Sequence, residues 1–276
     1  MLKESIAHPA QAWSGALGDY WAANSLQFDR LLARYDGVLW GMAGVSPADV
    51  TLDVGCGTGA ITRTAALRSE RGSATGLDVS ASMLEVARAE TRRQGLRNAT
   101  FVEGDAEAYS LREAAFDLVV SRFGTMSFAD PLSAFRNLRR ALHHDGRLVM
   151  LVWQSYGRNE MMQVIDDSLG DHLMRIPLMG PDQCSLADPD QAWHLLNDAG
   201  FTGIRVTDVR QPLFFGKDAD DASKFITSLV EKVHREDCDD ALAEGRDRLR
   251  TALAARQILG GVLLNSAAWL ITARRR

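Results

Sequence analysis

A short glycine-rich segment carries the strongest chemical signal in the sequence. It reads Leu-Asp-Val-Gly-Cys-Gly-Thr-Gly and continues directly from an apolar run at 50–54. Glycines at Gly55, Gly57 and Gly59 let the backbone turn tightly and let a ligand approach without a Cβ in the way. The spacing is GxGxG, not the GxGxxG that seats a pyrophosphate on a helix N-terminus. The segment therefore favours a cofactor without a diphosphate.

Two further residues of this segment belong to the candidate cofactor site. Asp53 places a carboxylate shortly before the first glycine, and Cys56 lies inside the turn. A nucleophilic role for Cys56 would need a base, and the sequence places none beside it. We therefore expect Cys56 to be a small buried residue of the cofactor site.

Carboxylates also end the next two predicted strands. Asp78 follows Gly55 by about two dozen residues, the spacing at which a carboxylate accepts the hydroxyls of a ribose. The alternative is that Asp78 caps the helix beginning near Ala81, a role that Ser80 could equally fill. Asp105, in Glu-Gly-Asp-Ala, could accept a hydrogen bond from an adenine amino group, or be an ordinary turn aspartate. Ribose binding is the interpretation we favour for Asp78.

Alternating strands and helices are expected to position these residues. Apolar runs predict strands at 50–54, 73–78, 100–103, 116–121, 147–153, 202–209 and 261–272. Helical spacing predicts helices at 60–68, 81–94, 131–142 and 189–199. Such alternation implies right-handed crossovers and ligands at the carboxyl ends of parallel strands. We predict an α/β fold: a doubly wound, Rossmann-like, mostly parallel seven-stranded sheet with N-terminal helices and a helical lid.

The same patterns predict four regions along the chain. Residues 1–45 form an N-terminal helical cap, and 46–153 form the cofactor-binding core. Residues 154–187 have weak periodicity and several Met residues, which indicates a lid insertion. Residues 188–276 complete the core and contain a charged helical insertion at 218–257. We therefore expect one catalytic domain with a smaller lid.

Taken in order, the motifs resemble those of the class I SAM-dependent methyltransferases. They are LDVGCGTG, GLDVS, EGDA, FDLVVSRFGTMSFADP and GRLVMLVW, and the resemblance covers roughly residues 13–210. RFGTMSFADP followed by AFRNLRRAL resembles a bacterial small-molecule branch that includes natural-product enzymes. The resemblance implies S-adenosyl-L-methionine as cofactor. It also implies methyl transfer to an O, N or C atom of a small-molecule acceptor, in secondary metabolism.

The resemblance assigns roles within the cofactor site. The three glycines of the turn would face the methionine part of the cofactor, and Asp78 would bind the ribose. Met83 would lie at the adenine edge, and Asp105 with Ala106 would contact the adenine. Ser121 and Arg122, after the fourth strand, would lie beside the sulfonium and the acceptor.

In such relatives the N-terminal aromatic helices often close over the cofactor. Tyr20, with Trp13 and Trp21, is therefore a candidate, and helix packing is the alternative role. The complete set of predicted cofactor-binding residues is Tyr20, Asp53, Gly55, Cys56, Gly57, Gly59, Asp78, Val79, Met83, Gly104, Asp105, Ala106, Ser121 and Arg122.

The sequence predicts neither a catalytic base nor a metal site. His172, His194 and His234 lie outside the core motifs, and nothing in their spacing selects one as a base. At 143–147 the chain reads His-His-Asp-Gly-Arg where many relatives have PGGRL. Adjacent histidines at a helix end do not face one point, so we expect no metal there. The three cysteines lack CxxC spacing.

Apolar side chains around the predicted lid would suit a hydrophobic acceptor, although a lid core would explain them as well. They are Trp153, Met161, Met162, Met174, Met179 and Phe214.

Composition limits the partners of the protein. With 31 basic and 36 acidic residues the formal charge is −5, which disfavours a nucleic-acid substrate. The N-terminus lacks the apolar run of a signal peptide, and no stretch is apolar enough to span a bilayer. We expect a cytoplasmic protein with a small-molecule substrate and no nucleic-acid or membrane partner. A homodimer is an allowed assembly.

Three other functions remain open at this point. The first keeps the same cofactor but catalyses a non-methylating reaction, such as cyclisation, decarboxylation or hydroxylation. The second is a noncatalytic binding module built on the same fold. The third, a nicotinamide oxidoreductase, is disfavoured by the glycine spacing.

Overall fold

A computed structural model describes residues 9–170, 186–233 and 239–276. Three helices precede the sheet: α1 (Pro9–Trp13), α2 (Ala16–Ala23) and α3 (Ser25–Ala43). The third helix repeats apolar residues on one face and buries that face against the sheet. It ends at Gly44, whose φ of +54° is left-handed and whose N–H donates to the carbonyl of Trp40.

Strands and helices then alternate through the core. They are β1 (Val50–Val54), α4 (Ala60–Arg68), β2 (Ser73–Asp78), α5 (Ala81–Arg93), β3 (Ala99–Glu103), β4 (Phe116–Arg122), α6 (Pro131–Ala141) and β5 (Leu142–Trp153). A short 3₁₀ turn (Tyr156–Arg158) leads into the second half of the chain. That half contains α7 (Glu160–Leu169), α8 (Pro189–Asp198), β6 (Thr202–Gly216), α9 (Ala219–Val233), α10 (Asp239–Ala254), β7 (Gln257–Ile258) and β8 (Gly261–Arg274).

The main sheet has seven strands in the order β3-β2-β1-β4-β5-β8-β6, and the two-residue β7 pairs with β8. Pairing is parallel from β3 through β5, and β8 is antiparallel to both β5 and β6. The strand order reverses between β1 and β4, so their carboxyl ends flank the crevice where such sheets bind ligands. The predicted mostly parallel seven-stranded sheet is confirmed.

Two strands differ from prediction in length. β6 continues to Gly216, beyond the predicted end at 209, and its last residues pair with the beginning of β8. Pro212 is tolerated because β6 is an edge strand, where a missing N–H costs no ladder hydrogen bond. This extension carries Leu213 and Phe215 past the parallel core and over the crevice.

β5 begins at Leu142, so His143 and His144 lie in a strand and not at a helix end as predicted. Leu142 pairs with Phe116, and a register shift follows before the pairing of Leu118 with Arg147. The early pairing to β4 extends the strand back through the two histidines, which are both exposed.

The structure tests the predicted regions only in part. The segment 171–185, which covers most of the predicted lid, lies outside the described residues, so the region boundaries stay a prediction. Among the described segments, no helix has both the length and the apolar character needed to cross a membrane.

Candidate active site

The glycine turn after β1 has the geometry that only glycine adopts readily. Gly55, Gly57 and Gly59 all have left-handed φ angles, of +66°, +53° and +80°. A Cβ on Gly55 would lie 2.5 Å from the Cα of Gly124, in the loop after β4. The turn is therefore wedged against the β4 loop, and a side chain at Gly55 would push the two apart.

Asp78 fastens this turn from the end of β2. Its carboxylate accepts hydrogen bonds from the Gly57 N–H at 2.7 Å and from the Ser80 N–H at 2.9 Å. The Ser80 hydroxyl in turn accepts the Met83 N–H at 3.3 Å and caps α5. The capping role thus falls to Ser80. Asp78 braces the cofactor turn and also lines the cavity described below.

Burial and backbone donors set the ionisation of Asp78. Its side chain is buried, which raises the pKa of the carboxyl, while N–H donors from Ser80, Gly57 and Val79 act in the opposite direction. The net direction is upward. A carboxylate held among backbone donors at a strand end is suited to accept further donors, such as ribose hydroxyls, on its cavity side.

Asp53 and Cys56 are both buried beneath the turn. The Asp53 carboxylate accepts the Thr62 hydroxyl at 2.6 Å, and burial raises the pKa of Asp53 to about 7 against the opposing effects of Thr62 and Arg122. Burial, with the nearby Asp78 and Asp53 carboxylates, raises the pKa of the Cys56 thiol well above its usual value. Cys56 is therefore a protonated thiol, consistent with the predicted filling role rather than a nucleophilic one.

A large cavity opens at the carboxyl ends of β1, β2, β3 and β4. It encloses about 1500 Å³ of empty space, part of it continuous with solvent. Eleven of the fourteen predicted cofactor residues line it. They are Asp53, Gly55, Cys56, Gly57, Asp78, Val79, Met83, Gly104, Asp105, Ala106 and Arg122. We call the part of the cavity lined by 53–107 the cofactor half.

The other three predicted residues support the cavity from behind. Gly59 packs under Phe101, and the Ser121 hydroxyl donates to the Val54 carbonyl at 2.8 Å. The Tyr20 hydroxyl lies 2.5 Å from the Ser228 hydroxyl, which ties α2 to α9. These three residues are not part of the cavity lining, and their contact with the cofactor stays a prediction.

From the cap, Trp13 and Trp21 do line the cavity. Trp21 stacks on Phe28 of α3, with ring centroids 3.6 Å apart and planes 7° apart. Trp13 and Trp21 therefore pack among the cap aromatic residues and also face the cavity, and their contact with the cofactor stays a prediction.

Arg122 stands where the cofactor half meets the rest of the cavity. Its guanidinium donates to Asp36 at 2.8 Å and to Asp29 at 3.1 Å, both on α3. Burial lowers the pKa of Arg122, and the Asp36 and Asp29 carboxylates outweigh that effect and raise it. Burial also raises the pKa of Asp36 more than Arg122 lowers it. This ion-paired triad clamps the cap helix to the end of β4.

The remaining lining is mostly apolar and comes from five separate parts of the chain: the cap, the loop after β4, the end of β5 with α7, the extension of β6, and α9. These residues are Ala10, Trp13, Trp21, Phe28, Leu31, Leu32, Phe123, Gly124, Ser127, Phe128, Trp153, Met161, Ile165, Leu213, Phe215, Phe225, Ile226 and Leu229. We call this part the acceptor half. Apart from Arg122 at its boundary, no described residue of the acceptor half has a titratable side chain.

Sequence reasoning found only part of the acceptor half. Trp153 and Met161 line it as expected, Met162 is buried beside it, and Phe215 lines it in place of Phe214. Met174 and Met179 lie outside the described residues. The walls from α3 and α9 were missed, although the helical spacing of Phe225, Ile226 and Leu229 marks one apolar face that could have been assigned to a ligand.

The histidines do not supply a base within the described structure. His194, on the exposed side of α8, contacts the Trp193 ring edge-to-face, and neither it nor His143 or His144 lines the cavity. His172 and His234 lie outside the described residues. No cluster of His, Cys, Asp or Glu suited to a metal ion occurs within the part of the chain that the structure describes.

Comparison with known proteins gives this site a class. Residues 52–150 match the family model described as "Methyltransferase domain". This match and the similar curated proteins support a class I SAM-dependent methyltransferase. S-adenosyl-L-methionine is accordingly its cofactor. The cofactor half fits that molecule: it combines a glycine-rich turn with carboxylates at strand ends and has no GxGxxG seat for a diphosphate.

Three proteins illustrate the range of this similarity. The ubiquinone/menaquinone biosynthesis C-methyltransferase UbiE of Shewanella sediminis is 28% identical over 186 residues, covering 60% of this chain and 72% of the relative. The YcgJ protein of Bacillus subtilis has a similar fold, with a TM-score of 0.60 at 18% identity, covering 88% of this chain and 99% of that one. Phosphoethanolamine N-methyltransferase 2 of Haemonchus contortus was solved with S-adenosyl-L-methionine. It has a TM-score of 0.56 at 18% identity, and the match covers 88% of this chain and 52% of that one.

Proposed function

We propose that this enzyme methylates a carbon atom of an apolar, electron-rich small molecule. One observation carries the proposal: a single cavity joins the polar cofactor half to the acceptor half, whose described walls are apolar apart from Ser127 and Arg122. Arg122, at the boundary, is already ion-paired with Asp29 and Asp36. An acceptor bound there must bring its own nucleophilic electron pair, as an electron-rich ring carbon does.

The chemistry follows from the division of the cavity. S-adenosyl-L-methionine, when bound, supplies an electrophilic methyl group on its sulfonium. The glycine turn, Asp78 and Asp105 hold the cofactor, while the apolar walls orient the acceptor and exclude water. The cofactor would supply its methyl group to the acceptor carbon, and its sulfur would keep the electron pair of the broken carbon–sulfur bond. The ring would then lose the proton of that carbon to solvent at the part of the cavity that is continuous with bulk water.

The name of the UbiE relative supports the choice of carbon. That protein is described as a C-methyltransferase of ubiquinone and menaquinone biosynthesis. We propose carbon methylation for this chain as well, with a bacterial secondary metabolite as the acceptor. Bound O–H and N–H acceptors usually need a base to remove the proton, which the described acceptor half does not provide.

We also propose that neither a nucleic acid nor a membrane takes part, and that the enzyme works in the cytoplasm. The net charge of −5 supports the first point, because a polyanion partner usually needs a basic face. A homodimer stays an allowed assembly, which light scattering of the purified protein would decide.

Calorimetric titration with S-adenosylmethionine and S-adenosylhomocysteine, against NAD as control, tests the cofactor half directly. We expect micromolar binding of both adenosyl ligands and no heat from NAD. Incubation with methyl-labelled S-adenosylmethionine and a panel of aromatic metabolites then tests transfer, with mass spectrometry to place the methyl on carbon. Tighter binding of NAD would sink the proposal. An acceptor consumed without gaining a methyl would instead identify a non-methylating enzyme, and cofactor binding with no acceptor consumed would favour a binding module.

A further inference from the structure

Phe123, directly after β4, has a backbone conformation that a bulky residue rarely adopts. Its φ is +63°, in the left-handed region. Among the described residues other than glycine, only Ala114 and Asp145 share a positive φ, and neither lines the cavity. A strained aromatic residue persists only where its surroundings hold it, and such strain concentrates at functional sites.

The neighbours of Phe123 hold it in this conformation. Its N–H donates to the Leu151 carbonyl at 2.9 Å, and the Gly124 N–H donates to the Ser121 hydroxyl at 3.1 Å. A Cβ on Gly124 would lie 2.5 Å from the Val54 carbonyl oxygen, so the chain is pressed against the strand that leads into the glycine turn. The residue beside the cofactor turn is therefore fixed by backbone contacts on both sides.

This conformation places the Phe123 ring on Trp153, at the end of β5. The two rings stack with centroids 3.8 Å apart and planes 14° apart. Tyr35 packs edge-on against both rings, at 5.2 Å and 5.6 Å, and its hydroxyl is 2.8 Å from the Ser266 hydroxyl. Tyr35 is fully buried, whereas Phe123 and Trp153 both line the cavity. The stacked pair is therefore buried, backed by Tyr35, and borders the cavity.

We propose that Phe123 and Trp153 form a platform for the flat ring of the acceptor, which makes Phe123 a specificity-determining residue. The inference rests on the proposed function and deepens it, since it names a planar aromatic acceptor. The platform adjoins the contact between Gly124 and Gly55, where the acceptor half meets the cofactor turn. Aromatic faces favour offset-stacked or edge-on rings over saturated ones of the same size.

Calorimetry on the protein saturated with S-adenosylhomocysteine tests the platform with two probes. They are 1-naphthol, which is flat, and decahydro-1-naphthol, which has the same carbon skeleton and hydroxyl but is not flat. We expect the unmodified protein to bind 1-naphthol at least tenfold more tightly. Phe123→Leu should reduce that preference to less than threefold while the Kd for S-adenosylhomocysteine changes by less than twofold. Phe123→Tyr, which keeps the ring, should retain the preference.

Matched variants separate recognition from strain. Phe123→Gly relieves the left-handed backbone and removes the ring, whereas Asp145→Gly relieves the same φ of +63° at an exposed position far from the lining. We expect only Phe123→Gly to lose the preference. Equal affinity for both probes, no binding of either, or a preference retained by the Leu variant would overturn the platform. Failure of the unmodified protein to bind S-adenosylhomocysteine would instead overturn the proposed function itself.

Discussion

The two halves of the cavity are built in opposite ways. The cofactor half comes from one continuous stretch, 53–107, in which each strand of the parallel sheet ends in a short loop that faces the cavity. The acceptor half is assembled from the cap helices, the loop after β4, the end of β5, α7, the extension of β6 and α9. The cofactor half holds four carboxylates and a glycine-rich turn, whereas the described walls of the acceptor half are aromatic and aliphatic apart from Ser127.

This difference separates two tasks. Binding an invariant cofactor requires a few polar groups at fixed points, which a local loop after a buried strand can hold. Shaping an acceptor site requires a large apolar surface, which comes from elements that can vary without disturbing the sheet. The triad of Arg122, Asp29 and Asp36 joins the two halves, because it ties the end of β4 to the cap helix that walls the acceptor half.

The largest expected effect on stability comes from Asp53, a buried carboxyl of the cofactor half that has no counterpart in the acceptor half. Folding raises the pKa of Asp53 from 3.8 to about 7. At about 1.4 kcal/mol per pH unit, this shift makes about 4 kcal/mol of the unfolding free energy depend on pH. The unfolded state loses its proton first, so this contribution to stability is complete below pH 4 and is lost as the pH rises to about 7. Asp53→Asn should not show this pH-dependent loss of unfolding free energy, because the amide does not ionise.

Urea unfolding at pH 4, 6 and 8 measures the effect on Asp53. Relative to Asp53→Asn, the unmodified protein should lose up to about 4 kcal/mol of unfolding free energy across that range. Asp190→Asn, at an exposed position on α8, is the control and should follow the unmodified protein. Parallel curves for the unmodified protein and Asp53→Asn would show that folding does not raise the pKa of Asp53.

A second test breaks the junction between the halves. Arg122→Met should lower the unfolding free energy by about 3 kcal/mol, because it leaves two carboxylates without their cation. The effect should lie at the low end for a buried pair, since Asp29 and Asp36 keep 30% and 35% of their side chains exposed. Adding Asp29→Asn and Asp36→Asn should recover most of the loss. Arg93→Met, in an exposed pair with Glu90, should leave stability unchanged.

Much of the cofactor half could be read from the sequence. The bounds of β1, α4 and β2 match the prediction because a buried apolar run, a glycine turn and a helix follow one another without a break. Asp78 and Asp105 were found for the same reason: a residue at the end of a parallel strand has only one edge of the sheet to occupy. What the sequence did not reveal is that Asp78 also fastens the Gly57 backbone.

The acceptor half could not be read in this way. The partners of Arg122 lie 86 and 93 residues away on α3, and no local pattern links them. The predicted strand ends at 209, short of Pro212. Proline is excluded from central strands, and only the structure shows that β6 lies at the sheet edge. The strain at Phe123 likewise depends on tertiary contacts, since nothing in Arg-Phe-Gly predicts a left-handed phenylalanine.

The smallest expected effect is on cofactor affinity, and it separates the two roles of Asp78, ribose binding and bracing of the glycine turn. Asp78→Ala should weaken binding of S-adenosylhomocysteine by about 10-fold to 100-fold, or about 1 to 3 kcal/mol, the range for hydrogen bonds to a charged group. Part of that loss comes from releasing the Gly57 and Ser80 N–H groups. A double-mutant cycle combines Asp78→Ala with the 2′-deoxy analogue of S-adenosylhomocysteine. It isolates the ribose contact, because the analogue has no 2′-hydroxyl whose hydrogen bond to Asp78 could be lost. The deoxy analogue should bind more weakly to the unmodified protein but equally to Asp78→Ala. The same penalty in both proteins would leave Asp78 as a brace for the turn alone, and would move ribose recognition to another residue of the cofactor half.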